Sequence, residues 1–348
     1  MNIRVILNRV IQNLEKIKIR LLYFDIYDNG KKYLALENSY ERELGDYTPN
    51  ANKKISKNKQ YPAGKILRFI FEGNYFDIAV IYSKRCFIKN MSPKATSALS
   101  IFRVDKGKYE KLAEIAPKNP HGLFIQKRVP IDSADPNEIA IFLPSFAKID
   151  RISLVAPKEI KKVSIHRKNI LFYGSSITQG CAASATSSSY VSKIAIAMDL
   201  NVLNFGFSEG ARGERELAEF LALKHADYYV IEYDHNSDEK ELTERHLEFY
   251  KTIRKENPET PIIIISRLSY GISVSESEAR RREEIIKRTI GYGREMGDKA
   301  LFHINAGSSS IDERRKLLAD DRHPNDDGMD YLARQVISIL RGWNDKDN

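Results

Sequence analysis

A serine stands where an apolar run gives way to a turn that is bracketed by glycines. The run Ile170-Leu171-Phe172-Tyr173 has the composition of a buried strand, and Gly174-Ser175-Ser176-Ile177-Thr178-Gln179-Gly180 follows it directly. A turn of this kind between a strand and a helix presents a hydroxyl at the end of a sheet, where it can act as a nucleophile. The same turn could cradle a phosphate on its N–H groups. It lacks, however, the Gly-Lys-Ser/Thr of a P-loop and the third glycine of a dinucleotide fingerprint.

An aspartate and a histidine near the end of the chain could activate that serine. Asp320-Asp321-Arg322-His323 places a carboxylate three residues before an imidazole. An aspartate that accepts a hydrogen bond from one ring nitrogen orients the histidine and leaves the other nitrogen free to take a proton from serine. Two simpler roles compete, because Asp320 and His323 could cap the final helix or bind a metal together with Asp234 and His235. A metal site would leave the serine without a purpose.

Hydrogen-bond donors for a developing oxyanion follow two further apolar runs. Gly206-Phe207-Ser208-Glu209-Gly210-Ala211-Arg212 follows one of them, and Glu232-Tyr233-Asp234-His235-Asn236 follows the other. The Asn236 side-chain amide and a loop N–H beside the serine would stabilise negative charge on a carbonyl oxygen. Together the three segments predict nucleophilic acyl chemistry, which requires neither a metal nor an organic cofactor.

The elements that must position these residues follow an α/β pattern after about residue 168. Short apolar runs predict strands at 170–173, 202–205, 228–231, 262–265 and 301–304. Amphipathic stretches between them predict helices near 189–199, 213–225, 242–256, 276–296 and 326–341. This alternation is typical of a parallel sheet covered by helices on both faces. Ligands of such sheets bind at the carboxyl ends of the strands, where all the candidate residues are expected.

The preceding half of the chain has a different pattern. Short apolar or alternating runs at 65–71, 76–82, 99–104, 123–125 and 139–144 have no helical period between them, which indicates an antiparallel β-sandwich. Residues 3–21 carry an apolar stripe that predicts an N-terminal amphipathic helix, running into an alternating strand pattern at 16–21. The polar stretch 38–60 predicts a mobile loop. The predicted domains are 1–165 and 166–348.

Composition and charge exclude several classes of protein. The 348 residues are 42% hydrophobic and 30% charged, and no apolar run is long enough to span a bilayer. Cys86 and Cys181 are too few for a disulfide framework and are expected to be free thiols. The basic N-terminus lacks a signal-peptide core, which predicts a cytoplasmic location.

The charge is unevenly distributed between the two halves. Residues 1–168 hold 32 Lys and Arg against 17 Asp and Glu, a net charge of +15, whereas the remaining residues carry −6. Such an excess attracts polyanions, so an anionic glycan or a membrane surface is a candidate partner of the basic half, although a solvated surface rich in lysine is the simpler explanation. No specific nucleic-acid contact is expected. The apolar stripe near the N-terminus could meet a membrane, the protein's own sandwich or a second subunit, so a homo-oligomer stays open.

The motif segments together resemble the SGNH hydrolases, the GDSL-type esterase family. The resemblance covers residues 169–341 and implies a flavodoxin-like three-layer sandwich with a parallel sheet. It implies that Ser176 is the nucleophile, His323 the general base and Asp320 its orienting partner. Asn236 and the backbone N–H of Ser176 would then belong to the oxyanion hole.

Two positions depart from the family signature. Ser175 stands where Asp is usual, and Glu209 stands where the oxyanion-hole Gly is usual, with Gly210 one position later. A backbone N–H survives a change from Gly to Glu, but an inward carboxylate would oppose negative charge on the intermediate. The resemblance therefore implies that Glu209 points outward or that Gly210 takes the role.

The first half resembles the jelly-roll module that precedes some SGNH carbohydrate esterases. This resemblance implies an acylated sugar or polysaccharide as substrate and an acetylesterase-like activity. An O-acyltransferase that uses the same triad remains an alternative. So does a catalytically degenerate protein that binds a polyanion or glycan.

Overall fold

The structure, a computed structural model, describes residues 32–36, 44, 52–88, 91–117, 122–132, 136–163, 166–224 and 226–345. The predicted N-terminal amphipathic helix and the strand pattern at 16–21 lie outside these residues. No helix within the described ranges is long and apolar enough to cross a membrane.

The first half of the chain is an antiparallel β-sandwich. Its strands are β1 (Lys32–Leu36), β2 (Ile66–Phe71), β3 (Tyr75–Arg85), β4 (Leu99–Asp105), β5 (Lys108–Ile115), β6 (Phe124–Pro130), β7 (Asn137–Phe142), β8 (Ala147–Ala156) and β9 (Ile160–Lys162). One sheet has the order β1-β8-β3-β6, and the other has the order β5-β4-β7-β2-β9. Two short helices, α1 (Lys53–Asn58) and α2 (Pro93–Ser97), flank these strands.

A common core holds the two sheets together. Phe69 on β2 and Phe76 on β3 belong to different sheets, and their rings pack edge to face with centroids 5.5 Å apart. Both rings are buried, and alternate residues of β2 and β3 point into the same core, as the alternating sequence pattern predicts. The predicted β-sandwich class is confirmed. The sequence pattern did not predict β1, β5, β8 or β9. In β5 the charged edge sequence Lys108-Tyr109-Glu110-Lys111 exposes most of its side chains.

The second half is an α/β unit. Its strands are β10 (Asn169–Gly174), β11 (Asn201–Gly206), β12 (Tyr228–Glu232), β13 (Ile262–Ile265) and β14 (Leu301–Ile304). Its helices are α3 (Ser176–Gln179), α4 (Tyr190–Met198), α5 (Arg215–Ala222), α6 (Glu239–Glu256), α7 (Glu276–Glu295), α8 (Ile311–Lys316) and α9 (Asp326–Asn344), with a 3₁₀ turn at Thr186–Ser188. The five predicted strands and the five predicted helices are all present.

The parallel sheet has the order β11-β10-β12-β13-β14. The chain therefore moves outward in one direction from β10 to β11 and in the other direction from β12 onward. The crevice at this reversal, at the carboxyl ends of β10 and β12, is where ligands bind in open α/β sheets. Apolar cores cover both faces of the sheet, as the predicted three-layer arrangement requires.

The predicted mobile loop at 38–60 is wrong for its last third. Residues 53–58 form α1, because the Asn52 side chain caps the helix by accepting from the N–H groups of Lys54 and Ile55. Ile55 is completely buried and packs in the core of the α/β unit, mostly among residues more than 100 positions later. One apolar residue in a polar stretch carries no periodicity, so the sequence pattern could not show this docking.

A buried ion-pair network joins the two halves. Arg167, which lies just before β10, donates to Glu138 on β7 and to Asp199 at the end of α4, both at 2.8 Å. Because the Arg167 and Glu138 side chains are almost wholly buried, the network attaches the sandwich to the α/β unit at a defined place.

Candidate active site

The serine turn is packed tightly against its neighbours at the carboxyl end of β10. A Cβ atom at Gly174 would lie 2.1 Å from Thr178 Oγ1 and 2.4 Å from the backbone oxygen of Glu232. A Cβ atom at Gly206, which ends β11, would lie 2.4 Å from the backbone nitrogen of Gln179. Only glycine therefore lets the two strand ends approach α3 this closely.

Ser175 starts the short helix that carries Ser176. The Ser175 hydroxyl accepts from the Ile177 N–H at 3.1 Å, as an N-cap does. Gly180 ends the helix with φ of +109°. Ser176 is therefore the first residue of α3, and its side chain is 6% exposed at the edge of the sheet.

Three predicted side chains form one hydrogen-bonded array. Ser176 Oγ lies 3.0 Å from His323 Nε2. On the other side of the ring, His323 Nδ1 lies 2.9 Å from Asp320 Oδ2 and 3.2 Å from Oδ1. The structure thus brings together a hydroxyl, an imidazole and a carboxylate that are up to 147 positions apart in sequence.

Asp320 is held ionised by the groups around it. Burial alone would raise the pKa of its carboxyl, but the backbone and ring N–H of His323 and the backbone N–H of Arg322 donate to it and lower the pKa to about 2. The backbone N–H of His323 donates at 2.7 Å, and that of Arg322 at 2.8 Å. A permanent negative charge on this carboxylate favours the tautomer of His323 that carries its proton on Nδ1.

The loop that carries His323 is braced before it enters the last helix. The backbone N–H of Ala319 donates to the carbonyl oxygen of His323 at 2.8 Å. Asn325 caps α9, since its side chain accepts from the Gly328 N–H at 3.0 Å. The helix cap is therefore Asn325, and Asp320 and His323 are left to contact each other.

The loop after β11 offers a backbone donor at Glu209. The Gly210 N–H donates to the carbonyl oxygen of Phe207 at 2.8 Å, and the Ser208 N–H donates to Gln179 Oε1 at 2.8 Å. Within the described part of the chain, the N–H groups of Ser176 and Glu209 donate to no other group. Of the two loop positions considered from sequence, Glu209 is the one whose N–H is available.

Glu209 adopts the conformation that a glycine would have. Its φ is +59°, in the left-handed region that side chains with a Cβ disfavour. The Glu209 side chain is 65% exposed and pairs with Lys54 of α1. The hydrogen bond from Lys54 lowers the pKa of the Glu209 carboxyl, and the charges of Lys57 and Arg322 act in the same direction.

Asn236 lies in the turn that follows β12. One N–H of its side-chain amide donates to the carbonyl oxygen of Phe207 at 3.0 Å. This bond ties the turn to the Glu209 loop and fixes the orientation of the amide. The second N–H of the Asn236 amide has no partner in the described part of the chain, and it remains available to a ligand.

Asp234 and Cys181, two further residues near the array, have environments of their own. Asp234 is engaged by two buried arginines, with Arg282 Nη1 at 2.9 Å and Arg267 Nη2 at 3.5 Å from its Oδ1. No group of three possible ligands capable of holding a metal occurs among the described residues. Cys181 is a buried free thiol, and burial together with the Asp320 charge raises its pKa to about 12.

Two contributors to this region have no predicted role. Glu232 lies in a quoted segment, yet nothing in its spacing shows that its carboxylate contacts Ser175 at 2.8 Å. The helix α1 contacts the Glu209 loop, which lies more than 140 positions later in the sequence, and no local pattern predicts such a contact.

Three solved structures are similar to this chain over most of its length. A candidate GDSL-like lipase from Bacteroides ovatus has a TM-score of 0.75 at 22% identity and covers 89% of this chain and 97% of its own. A salicylyl-acyltransferase from a tetracycline biosynthetic pathway has a TM-score of 0.69 at 16% identity, with coverages of 92% and 96%. A family two carbohydrate esterase from Cellvibrio japonicus has a TM-score of 0.53 at 13% identity, with coverages of 90% and 97%. At these identities the similarity is one of fold.

A comparison with curated proteins gives no match. The model of the GDSL-like lipase/acylhydrolase family matches residues 167–341, which is half of the chain. The matched region contains the parallel sheet and the Ser176–His323–Asp320 array, so the resemblance drawn from the motif segments is confirmed. This chain belongs to the GDSL-like lipase/acylhydrolase family.

Proposed function

We propose that this chain is a serine esterase that removes acyl groups, acetyl in particular, from an acylated sugar or polysaccharide through an acyl-serine intermediate at Ser176. The observation that carries the proposal is the unbroken array of Ser176 Oγ, His323 Nε2 and the Asp320 carboxylate, with contacts of 3.0 and 2.9 Å. A protein that only binds glycans has no need of such an array. The degenerate alternative is therefore the weaker one.

The array accounts for both halves of an ester hydrolysis. His323 Nε2 takes the proton of Ser176 as Oγ attacks the carbonyl carbon, and Asp320 stabilises the imidazolium that forms. The imidazolium then protonates the departing alcohol as its C–O bond breaks, which leaves an acyl-serine. Water, deprotonated by the same nitrogen, attacks the acyl carbon. The bond from that carbon to Oγ then breaks, the imidazolium returns the proton to Oγ, and the carboxylic acid leaves.

Three donors are available for the oxyanion of each tetrahedral intermediate. They are the N–H groups of Ser176 and Glu209 and the free N–H of the Asn236 amide. Donors that are held in place before the reaction stabilise developing charge without reorganising. The Glu209 carboxylate does not oppose that charge, because it points to solvent and pairs with Lys54.

A carbohydrate as the acyl carrier is supported by the two-part architecture. Structures described as family two carbohydrate esterases cover about nine-tenths of this chain, including its sandwich. An acetyl xylan esterase from Butyrivibrio proteoclasticus covers 90% of it with a TM-score of 0.53. The net charge of +15 on residues 1–168 favours an anionic glycan over a neutral one.

Acyl transfer to a hydroxyl acceptor is the second candidate. It is favoured by the similarity to the salicylyl-acyltransferase, whose TM-score of 0.69 exceeds those of the carbohydrate esterases. The chemistry differs only in whether water or an alcohol attacks the acyl-serine.

A fluorophosphonate probe tests the nucleophile, because it forms a covalent bond only with an activated serine. We expect one label per chain, located at Ser176 by peptide mapping. Labelling should be abolished in Ser176→Ala and retained in Ser277→Ala, an exposed serine at the start of α7. Label on the Ser176→Ala variant would refute the assignment.

Acetate release from a panel of acetylated glycans then tests the substrate class. Mass spectrometry of the products with added free sugar separates hydrolysis from transfer, since only a transferase forms a new sugar ester. A labelled enzyme that releases acetate from none of the glycans, while cleaving a small aryl ester, would refute the carbohydrate part of the proposal.

A further inference from the structure

A buried carboxylate that the mechanism above does not use lies directly behind the serine turn. Glu232 is the last residue of β12 and is 3% exposed. Its Oε2 accepts from the Ser175 hydroxyl at 2.8 Å and from the Thr178 hydroxyl at 2.9 Å. The Ser175 backbone N–H donates to the same oxygen at 3.3 Å and to the Glu232 carbonyl oxygen at 2.8 Å.

These hydrogen bonds fix the Ser175–Thr178 turn on both sides of Ser176. Ser175 precedes Ser176, and its hydroxyl accepts from the Ile177 N–H while it donates to Glu232. Thr178 follows Ser176 by two positions and also contacts the hydroxyl of Tyr190 on α4 at 2.7 Å. One carboxylate therefore fixes the start of α3, and with it the direction of the Ser176 side chain.

The hydrogen bonds that hold the turn depend on the ionised form of the Glu232 carboxylate. As an anion it accepts from both hydroxyls and from one N–H. As an acid it is a weaker acceptor for these donors, and a proton on Oε2 would displace one of them. Burial raises the pKa of Glu232 to about 7, although the hydrogen bonds from Ser175 and Thr178 act in the opposite direction.

The charged and titratable groups around Glu232 do not neutralise it. Asp234 on the same turn raises the pKa further, and the Tyr190 hydroxyl on α4 stays protonated because burial raises its pKa. His235 Nε2 lies 3.9 Å from Glu232 Oε1. Burial and the charge of Arg267 hold the pKa of His235 well below its usual range, so this imidazole is neutral.

We propose that Glu232 is a positioning residue for Ser176: its ionised carboxylate holds the Ser175–Thr178 turn so that the Ser176 hydroxyl stays within reach of His323, and protonation of Glu232 releases the turn and slows acylation. This inference rests on the proposed function of Ser176. It adds to the reaction a second ionisable group, distinct from His323, that must lose its proton.

A merely structural role for Glu232 leads to the opposite expectation. Because folding raises its pKa from the ordinary 4.5 to about 7, the folded state binds the proton more tightly. The stability that this proton contributes is complete below about pH 4.5 and is lost as the pH rises through about 7. Stability thus falls over the pH range in which positioning improves, so the two roles can be separated.

The test compares Glu232→Gln with the wild type in kcat, KM and thermal midpoint between pH 5.5 and 9, with a small neutral aryl ester as substrate. We expect kcat of the variant to fall about tenfold or more at pH 8, as expected for a misplaced reacting group, with KM within about twofold. The thermal midpoint of the variant, relative to that of the wild type, should increase as the pH rises. The acid limb of the pH profile of kcat for the variant should lack the contribution of an ionisation near pH 7.

Asp298→Asn is the matched control. Asp298 is a buried carboxylate at the opposite edge of the sheet, paired with Arg254 at 2.8 Å. Its replacement should lower the thermal midpoint and leave the pH profile of kcat unchanged. A Glu232→Gln enzyme with wild-type kcat and an unaltered pH profile would overturn the inference.

Thr178→Val keeps the test decisive if Glu232→Gln does not fold. Valine preserves the shape of Thr178 but removes one donor to the carboxylate, so the acid limb of kcat should move to higher pH. Thr178→Ser retains the hydroxyl and should restore the wild-type profile. A Thr178→Val enzyme with an unmoved acid limb would count against the inference. A wild-type enzyme that takes no fluorophosphonate at Ser176 would overturn the proposed function itself.

Discussion

The side-chain amide of Asn58 donates to the carbonyl oxygen of Ser208 at 2.8 Å, across 150 positions of sequence. Asn52, at the other end of α1, donates to the carbonyl oxygen of Gly210 at 2.8 Å. The two bonds lie on either side of Glu209, whose N–H is the available loop donor. Ile55 is wholly buried between them and limits the space beside Gly210. A segment between the first two strands of the sandwich therefore holds the loop that completes the candidate site.

Asn58→Ala should disturb the Glu209 loop without touching the triad. The substitution leaves the Ser208 carbonyl oxygen without this donor, and we expect a loss of about 1–3 kcal/mol in unfolding free energy. We also expect kcat for a small ester to fall several-fold, because the Glu209 N–H is no longer held in place. Gln60→Ala is the control, since among the described residues its half-buried side chain bonds only to Lys57 in its own segment. An Asn58→Ala enzyme with wild-type kcat would show that α1 stabilises the fold alone.

Glu209→Gly should relieve backbone strain and preserve the donor. Glycine adopts the observed φ of +59° freely, whereas other residues lose about 1 kcal/mol there. The exposed pair with Lys54 that is lost contributes about 0–1 kcal/mol. We expect kcat to change by less than tenfold, measured beside Glu209→Ala, which loses the carboxylate but keeps the strain. A thermal midpoint for the glycine variant below that of the alanine variant would contradict the strain argument.

Asp320→Asn should lower kcat less than His323→Ala does, because the proposed general base survives while its tautomer is no longer fixed. Its effect on stability should depend on pH. The pKa of Asp320 is lowered to about 2 in the folded protein, so its ionised form contributes stability above about pH 4, which is lost as the pH falls through about 2. The thermal midpoints of the wild type and the variant should therefore differ at pH 7 and converge toward pH 2. A constant difference would argue against the charge of Asp320 as the cause.

Gly206→Ala should damage both the fold and the site. The added methyl group would lie 2.4 Å from the backbone nitrogen of Gln179 and 2.6 Å from the carbonyl carbon of Thr178. Because neither backbone atom can rotate away, α3 must shift, and we expect a loss of about 1–3 kcal/mol in stability together with a fall in kcat. Gly291→Ala on α7 meets nothing within 4 Å and should stabilise the protein by about 0.5–1 kcal/mol. Equal midpoints for the two variants, read by calorimetry, would contradict the packing argument.

The local sequence pattern was sufficient to predict the α/β unit and to single out the three side chains of the Ser176–His323–Asp320 array. Helical periodicity and capping residues are properties of consecutive positions, so α6 and α7 can be predicted from the sequence without a structure. The carboxyl ends of parallel strands meet at one edge of the sheet. For that reason the candidate residues identified from the sequence were expected in one place: Ser176, Asn236 and the Asp320-x-x-His323 segment.

Only the tertiary structure decided which groups near that array are free and which are occupied. The choice between Glu209 and Gly210 depends on a hydrogen bond from the Gly210 N–H to Phe207, which residue type does not reveal. The contacts of Glu232 with Ser175 and of Asn58 with Ser208 join residues 57 and 150 positions apart. Such contacts are set by how whole elements pack, and a single sequence carries no periodic signal for packing between distant elements.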